Sequence, residues 1–180
     1  PVQWVCRPQS QEYHDFSGYM GRIESGQISA GDEITILPSG RTTRIKEIVT
    51  YDGKLEEACA PQSVTLTLAD EIDISRGDMF VKSGALPDVR KEFEAMLCWL
   101  SESPLDRNRK YIIKHTTRMA KCIIQNLNYR VDVNTLAHHP ATTLQMNDIA
   151  HTAIKVQQPL VLDSYLINRA TGSFIVIDEA

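Results

Sequence analysis

Cysteine is scarce in this 180-residue sequence, and none of its four cysteines forms a C-x-x-C pair. The spacing of Cys6, Cys59, Cys98 and Cys122 excludes a locally built zinc knuckle or thioredoxin-type motif. Cys98 and Cys122 fall in apolar, strand-like segments, where a free thiol packs as a small hydrophobic group. We therefore expect reduced, buried thiols in a cytoplasmic protein rather than a disulfide framework.

Long apolar runs and an excess of positive charge are also missing. No run approaches the ~18–20 apolar residues that cross a bilayer, and residues 1–5 show neither an initiator Met nor a signal pattern, as though cut from a longer chain. Residues 1–86 carry 8 basic and 13 acidic groups, a net −5, and residues 87–180 carry 11 and 10, a net +1. Neither balance is typical of nucleic-acid binding, so we expect neither a membrane nor a nucleic-acid partner.

Catalytic motifs are absent as well. There is no G-x-x-x-x-G-K-[ST] loop to hold phosphates, and Gly18–Gly21 lies in a strand pattern instead of opening a helix. The carboxylates of Glu56–Glu57 and Asp70–Asp73 have no recognisable nucleophile nearby, and we expect them to be solvated. The histidines lack metal-ligand spacing and are expected at the surface or at an interface: His14, His115, His138, His139 and His151. The sequence therefore predicts no catalytic residue, nucleotide site or metal site.

The sequence does contain many short, β-rich runs separated by glycine and proline. In Ser63–Leu68 apolar and polar residues alternate, the period of a half-buried strand. Pro38–Gly40 predicts a turn between strands over Glu33–Leu37 and Thr42–Tyr51. A strand is also predicted over Phe16–Ser25, with a bulge or bend at its glycines. Turn signals every ~8–12 residues favour an all-β fold of closed antiparallel barrels, which leave no exposed strand edges.

A domain boundary is predicted in the small-residue stretch Ser83–Asp88, which follows a strand over Asp78–Lys82. Residues 1–86 and 87–180 would each form one barrel, of a size that can bury a workable core. The strands predicted for the second half are Lys91–Leu100, Tyr111–His115, Met119–Leu127, Ile149–Val156, Leu160–Leu162 and Ser173–Asp178.

Two glycine-marked segments resemble the second domain of translation-factor GTPases. These are Gly21–Gly26, with the pattern G-R-[IV]-x-x-G, and the following Gly31–Glu33. The glycines suit tight turns and a barrel corner where a Cβ atom would clash. The resemblance implies tandem barrels of the translation-factor domain II and III type, and names no activity.

Longer segments are similar to the large, GTP-binding subunit of bacterial sulfate adenylyltransferase. They are Leu37–Thr42, Ile48–Gly53, Asp70–Asp78, Val133–Leu136 and Asn168–Gly172. This resemblance implies a parent enzyme that makes adenylyl sulfate and pyrophosphate from ATP and sulfate, coupled to GTP hydrolysis. It also implies a GTPase domain with GTP and Mg before residue 1, a separate catalytic subunit, a closing strand beyond Ala180, and in some members a fused adenylyl-sulfate kinase.

Two charged segments are candidate interfaces. The segment Asp70–Asp78 joins two strands at a barrel rim, and we expect Asp73, Arg76 and Asp78 to contact the GTPase domain. The stretch Arg107–Lys121 contains no acidic residue. It is either a docking face for an acidic partner or a hairpin with solvated outward positions and Ile112, Ile113 and Ala120 turned inward. The candidate partner contacts within it are Arg109, Lys110, Lys114 and Arg118.

Two other classes of function stay open from the sequence alone. One is a translation-factor module that contacts RNA or the ribosome, and the net −5 of the first half counts against it. The other is a free-standing scaffold that binds protein and has no GTPase partner.

Overall fold

Every regular element in the described part of the chain is a β-strand, which confirms the predicted all-β fold. The structure is a computed structural model that describes residues 1–7, 17–84 and 86–178. No helix in those ranges is long and apolar enough to span a bilayer. Several sequence predictions involve positions outside the described residues: His14, the Phe16 end of a strand, Ala85 of the boundary stretch and Ala180.

The chain divides into two compact units. The first contains Pro1–Val89 together with His115–Met119 and Leu160–Phe174. The second contains Arg90–Lys114, Ala120–Pro159 and Ile175–Ala180. The predicted division of the sequence at residues 86 and 87 stays a prediction.

Nine strands belong to the first unit, and seven of them form one antiparallel sheet in the order β1-β2-β8-β5-β4-β9, with β6 on β5 and with β3 and β7 as a separate pair. Their bounds are β1 Val2–Cys6, β2 Gly18–Arg22, β3 Gln27–Ser29, β4 Glu33–Leu37, β5 Arg41–Thr50, β6 Gly53–Leu55, β7 Glu57–Cys59, β8 Ser63–Leu68 and β9 Met79–Lys82. The predicted strands over Glu33–Leu37 and Ser63–Leu68 have the predicted bounds.

Hydrogen bonds join the two ends of this sheet. The Val2 amide donates to the Asp78 carbonyl over 2.8 Å, and the Gly77 amide donates to the Val2 carbonyl over 3.1 Å. These bonds close the sheet at Val2, so the backbone groups at this point are paired and not open to another chain. The closed sheet surrounds a core of buried side chains: Ile34, Ile45, Ile48, Ala58, Val64 and Leu66.

The predicted bulge is real but lies on the other strand. The register between β1 and β2 shifts between Val2 and Trp4, so Gln3 is the extra residue. Gly21 sits opposite, and a Cβ atom there would lie 2.4 Å from the Pro1 carbonyl oxygen. The glycine pattern therefore reports close approach of the neighbouring strand rather than an irregularity of β2 itself.

A second sheet has six strands, in the order β10-β14-β12-β11-β15 with β13 on β12, and most of its residues belong to the second unit, although end residues of β10, β11, β12 and β14 belong to the first. Their bounds are β10 Asp88–Cys98, β11 Tyr111–His115, β12 Arg118–Val131, β13 His138–His139, β14 Ile149–Leu162 and β15 Ile175–Ile177. Residues Ile149–Val156 and Leu160–Leu162 were expected to form two strands. They belong to the single strand β14, because Gln157–Pro159 continue in extended conformation without a turn.

Two buried aromatic residues of the second unit combine apolar packing with hydrogen bonds. Trp99 and Tyr111 are 5% and 2% exposed and meet edge to face, with ring centroids 5.6 Å apart. The Trp99 indole donates to the Ser103 carbonyl over 2.8 Å, and the Tyr111 hydroxyl donates to the Asp106 carbonyl over 3.0 Å. Buried aromatic rings are stabilising here because their polar atoms are paired.

The expectation for the two strand cysteines is half right. Cys122 is buried, but Cys98 points to the exposed side of β10, and Cys59 is also exposed. The apolar neighbours of Cys98 predicted its burial. Side chains alternate along an extended chain, however, so Leu97 and Trp99 point inward and Cys98 points outward.

Thiol reactivity should follow this division. Burial raises the pKa of Cys122 to about 11 from 9.0, which lowers its thiolate fraction near neutral pH about 100-fold. We expect a thiol reagent such as DTNB at pH 8 to modify Cys59 and Cys98 rapidly and Cys122 only after unfolding. Mass spectrometry of the labelled chain identifies the sites, and fast labelling of Cys122 in the folded chain would contradict this assignment.

Candidate functional site

Potential metal ligands are not clustered in the described residues. No group of three or more His, Cys, Asp or Glu side chains in residues 1–7, 17–84 and 86–178 is arranged to hold a metal ion. Asp70, Glu71 and Asp73 are exposed as predicted, and Asp70 accepts a hydrogen bond from the Thr43 hydroxyl over 2.8 Å. The candidate sites that the sequence predicts are the two charged segments Asp70–Asp78 and Arg107–Lys121.

Residues from two distant parts of the sequence meet in the first unit at the closure of its sheet. Arg118 forms an ion pair with Asp78 over 3.3 Å, and both side chains are 19% exposed. The Thr117 hydroxyl donates to the Val2 carbonyl over 2.8 Å. Gly77 has φ +97°, and a Cβ atom on it would lie 3.2 Å from the Arg118 Cα. Asp78 and Arg118, both predicted as interface residues, thus pair inside this unit.

The neighbouring rim residues remain exposed. Arg76 donates to the carbonyl of Gln3 on β1 and so adds a further link across the closure. Asp73 is exposed. It lies in a polar cleft of about 660 Å³, which Arg7, Lys46 and Glu71 also line. Contact of these rim residues with another domain stays a prediction.

The basic stretch separates into engaged and exposed groups. Arg109 pairs with Asp178 over 3.0 Å, and Arg107 donates to the Gln125 carbonyl. With Arg118 bound to Asp78, the arginines of the stretch are held by other parts of the chain. The lysines of the same stretch are all exposed: Lys110, Lys114 and Lys121. Ile113 and Ala120 are buried as the hairpin interpretation predicts. Ile112 was also predicted to turn inward, and this was wrong: it is half-buried on the outward face, because side chains alternate along β11 and Ile113 takes the inner face.

His115 departs from the prediction that the histidines lie at the surface. It is 1% exposed, and its Nε2 lies 2.8 Å from the Thr171 carbonyl oxygen. Because a carbonyl only accepts, Nε2 carries the proton of the neutral ring. Burial lowers the pKa of His115, although the Thr171 hydrogen bond and the Asp163 carboxylate act in the opposite direction. The alternation of β11 explains the error, since positions 111, 113 and 115 share the inner face.

Stability should therefore depend on the charge of His115. Because its folded pKa lies below the ordinary 6.5, the unfolded chain binds this proton first. The free energy of unfolding should fall as the pH drops below about 6.5, by at most ~1.4 kcal/mol per pH unit, and level off below the folded pKa. Urea unfolding at several pH values tests this. His115→Gln should flatten the dependence while His139→Gln, at an exposed site, should not; a steeper fall in His115→Gln would refute it.

Two further histidines, the exposed His138 and the half-buried His151, stack on a tyrosine ring. The Tyr129 ring lies between His138, at a centroid distance of 3.9 Å, and His151, at 5.1 Å, with interplanar angles of 13° and 10°. Asn128 contacts His151 Nδ1 over 3.0 Å and donates to Glu94 over the same distance. These contacts hold the three rings packed against one another on the surface of the second unit.

Two features of the first unit had no counterpart in the sequence predictions. One is an apolar cleft of about 470 Å³. The core residues Ile34 and Leu66 and the charged residues Glu24 and Lys82 line it. The other is the turn 163–172, whose tip exposes Leu166 by 93% and Ile167 by 84%. Only the consecutive apolar residues 165–167 could have signalled the tip, and no local pattern signals the cleft.

Comparisons with known proteins match this geometry. Residues 19–81 match the family Elongation factor Tu domain 2, and residues 92–180 match the family GTP-eEF1A C-terminal domain-like. In structure the chain is similar to Sup35 complexed with GDP, with a TM-score of 0.88 at 14% identity, covering 100% of this chain and 44% of Sup35. The expected tandem barrels of the translation-factor domain II and III type are thereby confirmed.

Sequence relatives are more specific. The chain is 47% identical over 179 residues to sulfate adenylyltransferase subunit 1 of Alteromonas mediterranea, covering 99% of this chain and 37% of the relative. It is also 47% identical to sulfate adenylyltransferase subunit 1 of Bacteroides fragilis, with the same shares covered. With the bifunctional enzyme CysN/CysC of Rhodopirellula baltica it shares 47% identity over 99% of this chain and 27% of the relative. The chain thus spans little more than a third of these relatives at most.

Proposed function

Because this chain belongs to the translation-factor family of paired barrels, in the group of sulfate adenylyltransferase subunit 1, we propose that it couples a GTPase domain to a catalytic subunit of that enzyme. The observation that carries the proposal is 47% identity along 99% of the chain. This identity extends over both barrels, whereas the Sup35 likeness at 14% concerns the fold alone.

The proposed parent reaction joins ATP and sulfate into adenylyl sulfate and pyrophosphate, and GTP hydrolysis drives it. GTP and Mg²⁺ would bind a GTPase domain, and adenylyl transfer would occur on the catalytic subunit. No residue in the described ranges is assigned to either reaction. In relatives such as CysN/CysC, described as bifunctional, a fused adenylyl-sulfate kinase would use the product. We propose that the enzyme acts in the cytoplasm.

Stiffness is what the first barrel would contribute to coupling. Its sheet is closed by the Val2–Asp78 and Gly77–Val2 hydrogen bonds, and the Asp78–Arg118 ion pair supports the same point. A closed sheet around a packed core moves as one body when a bound domain changes conformation, since packed cores do not deform gradually. Asp73 and Arg76, at the rim of this barrel, are the residues we propose to face the GTPase domain.

Reconstitution tests the proposal. The complete subunit containing these residues is combined with the catalytic subunit, and adenylyl sulfate formation and GTP hydrolysis are measured together. We expect synthesis that requires both subunits and GTP, and neither activity from the 180-residue chain alone. Steeply salt-dependent binding of the complete subunit to ribosomes or RNA, without adenylyl sulfate synthesis, would refute coupling and support the translation-factor alternative.

A further inference from the structure

One outward sheet face in the second unit combines exposed lysines with apolar side chains. On β11, Tyr111 and Ile113 are buried, so Ile112 and Lys114 point outward. The register between β11 and β15 pairs Lys114 with Ile175 and Ile112 with Ile177. Directly paired residues lie on the same face of a sheet, so all four side chains share the outer face.

The neighbouring strand β12 extends this face. Cys122 and Ile124 are buried, which turns Lys121 and Ile123 outward. Beside Ile123 lies a shallow cleft that Leu105, Arg107 and Gln125 also line. The residues of the complete surface, called the lysine face below, are Lys110, Ile112, Lys114, Lys121, Ile123, Ile175 and Ile177.

The lysines of this face differ from the arginines around them. Arg109 is paired with Asp178, and Arg107 is bound to the Gln125 carbonyl. Within the described ranges no carboxylate forms an ion pair with Lys110, Lys114 or Lys121. Three positive charges are therefore available to an external partner at one place, in a chain whose net charge is −4.

The apolar side chains form the centre of the face, and their exposure to water is unfavourable. Ile175 is 61% exposed at the start of the edge strand β15, where it pairs with Lys114. Ile112, Ile123 and Ile177 are half-buried on the same side. An apolar centre with a polar, charged rim is the usual composition of a protein interface. Four isoleucines on one outward face are not expected where a barrel wall contacts only water.

We propose that the lysine face is the docking surface for the catalytic subunit, and that it fits a partner surface with carboxylates around apolar side chains. This rests on the proposed function, which requires a catalytic subunit to be bound somewhere on the barrels. Complementary charge would steer the encounter, and burial of the isoleucines would hold the complex.

Binding of the purified catalytic subunit to this chain, measured by calorimetry at 50 and 500 mM NaCl, tests the proposal. The triple variant K110E/K114E/K121E should weaken binding ~10–100-fold at 50 mM and less at 500 mM. Ile175→Ser should weaken it by a similar factor at both salt concentrations, because the loss is not one of charge. The matched control R41E/K46E/K91E has the same total change of charge at exposed positions elsewhere and should change the affinity less than ~3-fold.

The possible outcomes separate the two proposals. Equal losses in the triple variant and the matched control would show that only the overall charge matters and would overturn the lysine face. Unchanged binding of the triple variant would overturn it as well. Absence of binding by the unaltered chain would also overturn it, while the proposed function would still be decided by reconstitution with the complete subunit. Circular dichroism of every variant excludes loss of fold as the cause.

Discussion

Replacing Ile48 by alanine should lower the free energy of unfolding by ~2–5 kcal/mol. Ile48 is 0% exposed and lies where β5 pairs with both β6 and β8, opposite Leu55 and Leu66. The substitution removes three buried carbon atoms, and the surrounding closed sheet cannot collapse into the cavity.

Urea unfolding followed by far-ultraviolet circular dichroism measures the loss. Ile167→Ala is the matched control, because it makes the same chemical change at a side chain that is 84% exposed. The control should stay within ~0.5 kcal/mol of the unaltered chain. Similar losses in the two variants would mean that Ile48 does not occupy a rigid core.

Replacing Gly172 by alanine should cost ~1–3 kcal/mol and displace the turn 163–172. A Cβ atom at this position would lie 2.5 Å from the backbone nitrogen and Cα of Tyr165 and 2.8 Å from the Asn168 carbonyl oxygen. The obstacle is backbone rather than a flexible side chain, so the turn itself has to move. Gly172 also donates to the Asn168 carbonyl over 2.8 Å, which fixes the close approach.

The displacement should be visible next to the turn. Thr171, adjacent to Gly172, donates from its hydroxyl to Asp163 over 2.6 Å and accepts from the buried His115. Hydrogen exchange should therefore accelerate at residues 163–172 and at His115 in Gly172→Ala. Ser173→Ala, at the exposed neighbouring position, serves as control and should leave exchange unchanged. Unaltered exchange in Gly172→Ala would show that the turn has room for a side chain.

Local patterning was sufficient to predict most strands. Ser63–Leu68 and Glu33–Leu37 were exact, because period-two alternation and a Pro-Ser-Gly turn act over a few residues. The errors arose where a distant segment decides the outcome. A break was predicted in β14 at Gln157–Pro159, but the strand continues through these residues. His115 was expected at the surface or at an interface because the histidines lack metal-ligand spacing, whereas the inner face of β11 holds it buried.

The candidate surfaces were less predictable for the same reason. The basic composition of residues 107–121 is visible in the sequence. The sequence does not show which of these charged side chains bind to other parts of the same chain. Asp78 lies 40 positions before Arg118, and Asp178 lies 69 positions after Arg109. Only the fold brings these partners together and so distinguishes bound arginines from exposed lysines. The exposure of Ile175 likewise depends on the register of β15 with β11.

Exchange of the barrels in the complete subunit tests most directly whether their surfaces, and not the fold alone, couple GTP hydrolysis to synthesis. One chimaera receives the corresponding region of Bacteroides fragilis sulfate adenylyltransferase subunit 1, 47% identical, and the other receives the Sup35 barrels, which share the fold at 14% identity. Adenylyl sulfate formed per GTP hydrolysed is then measured with the catalytic subunit present. We predict that the first chimaera retains coupling and that the second hydrolyses GTP without synthesis. Equal coupling in the two chimaeras would contradict the account.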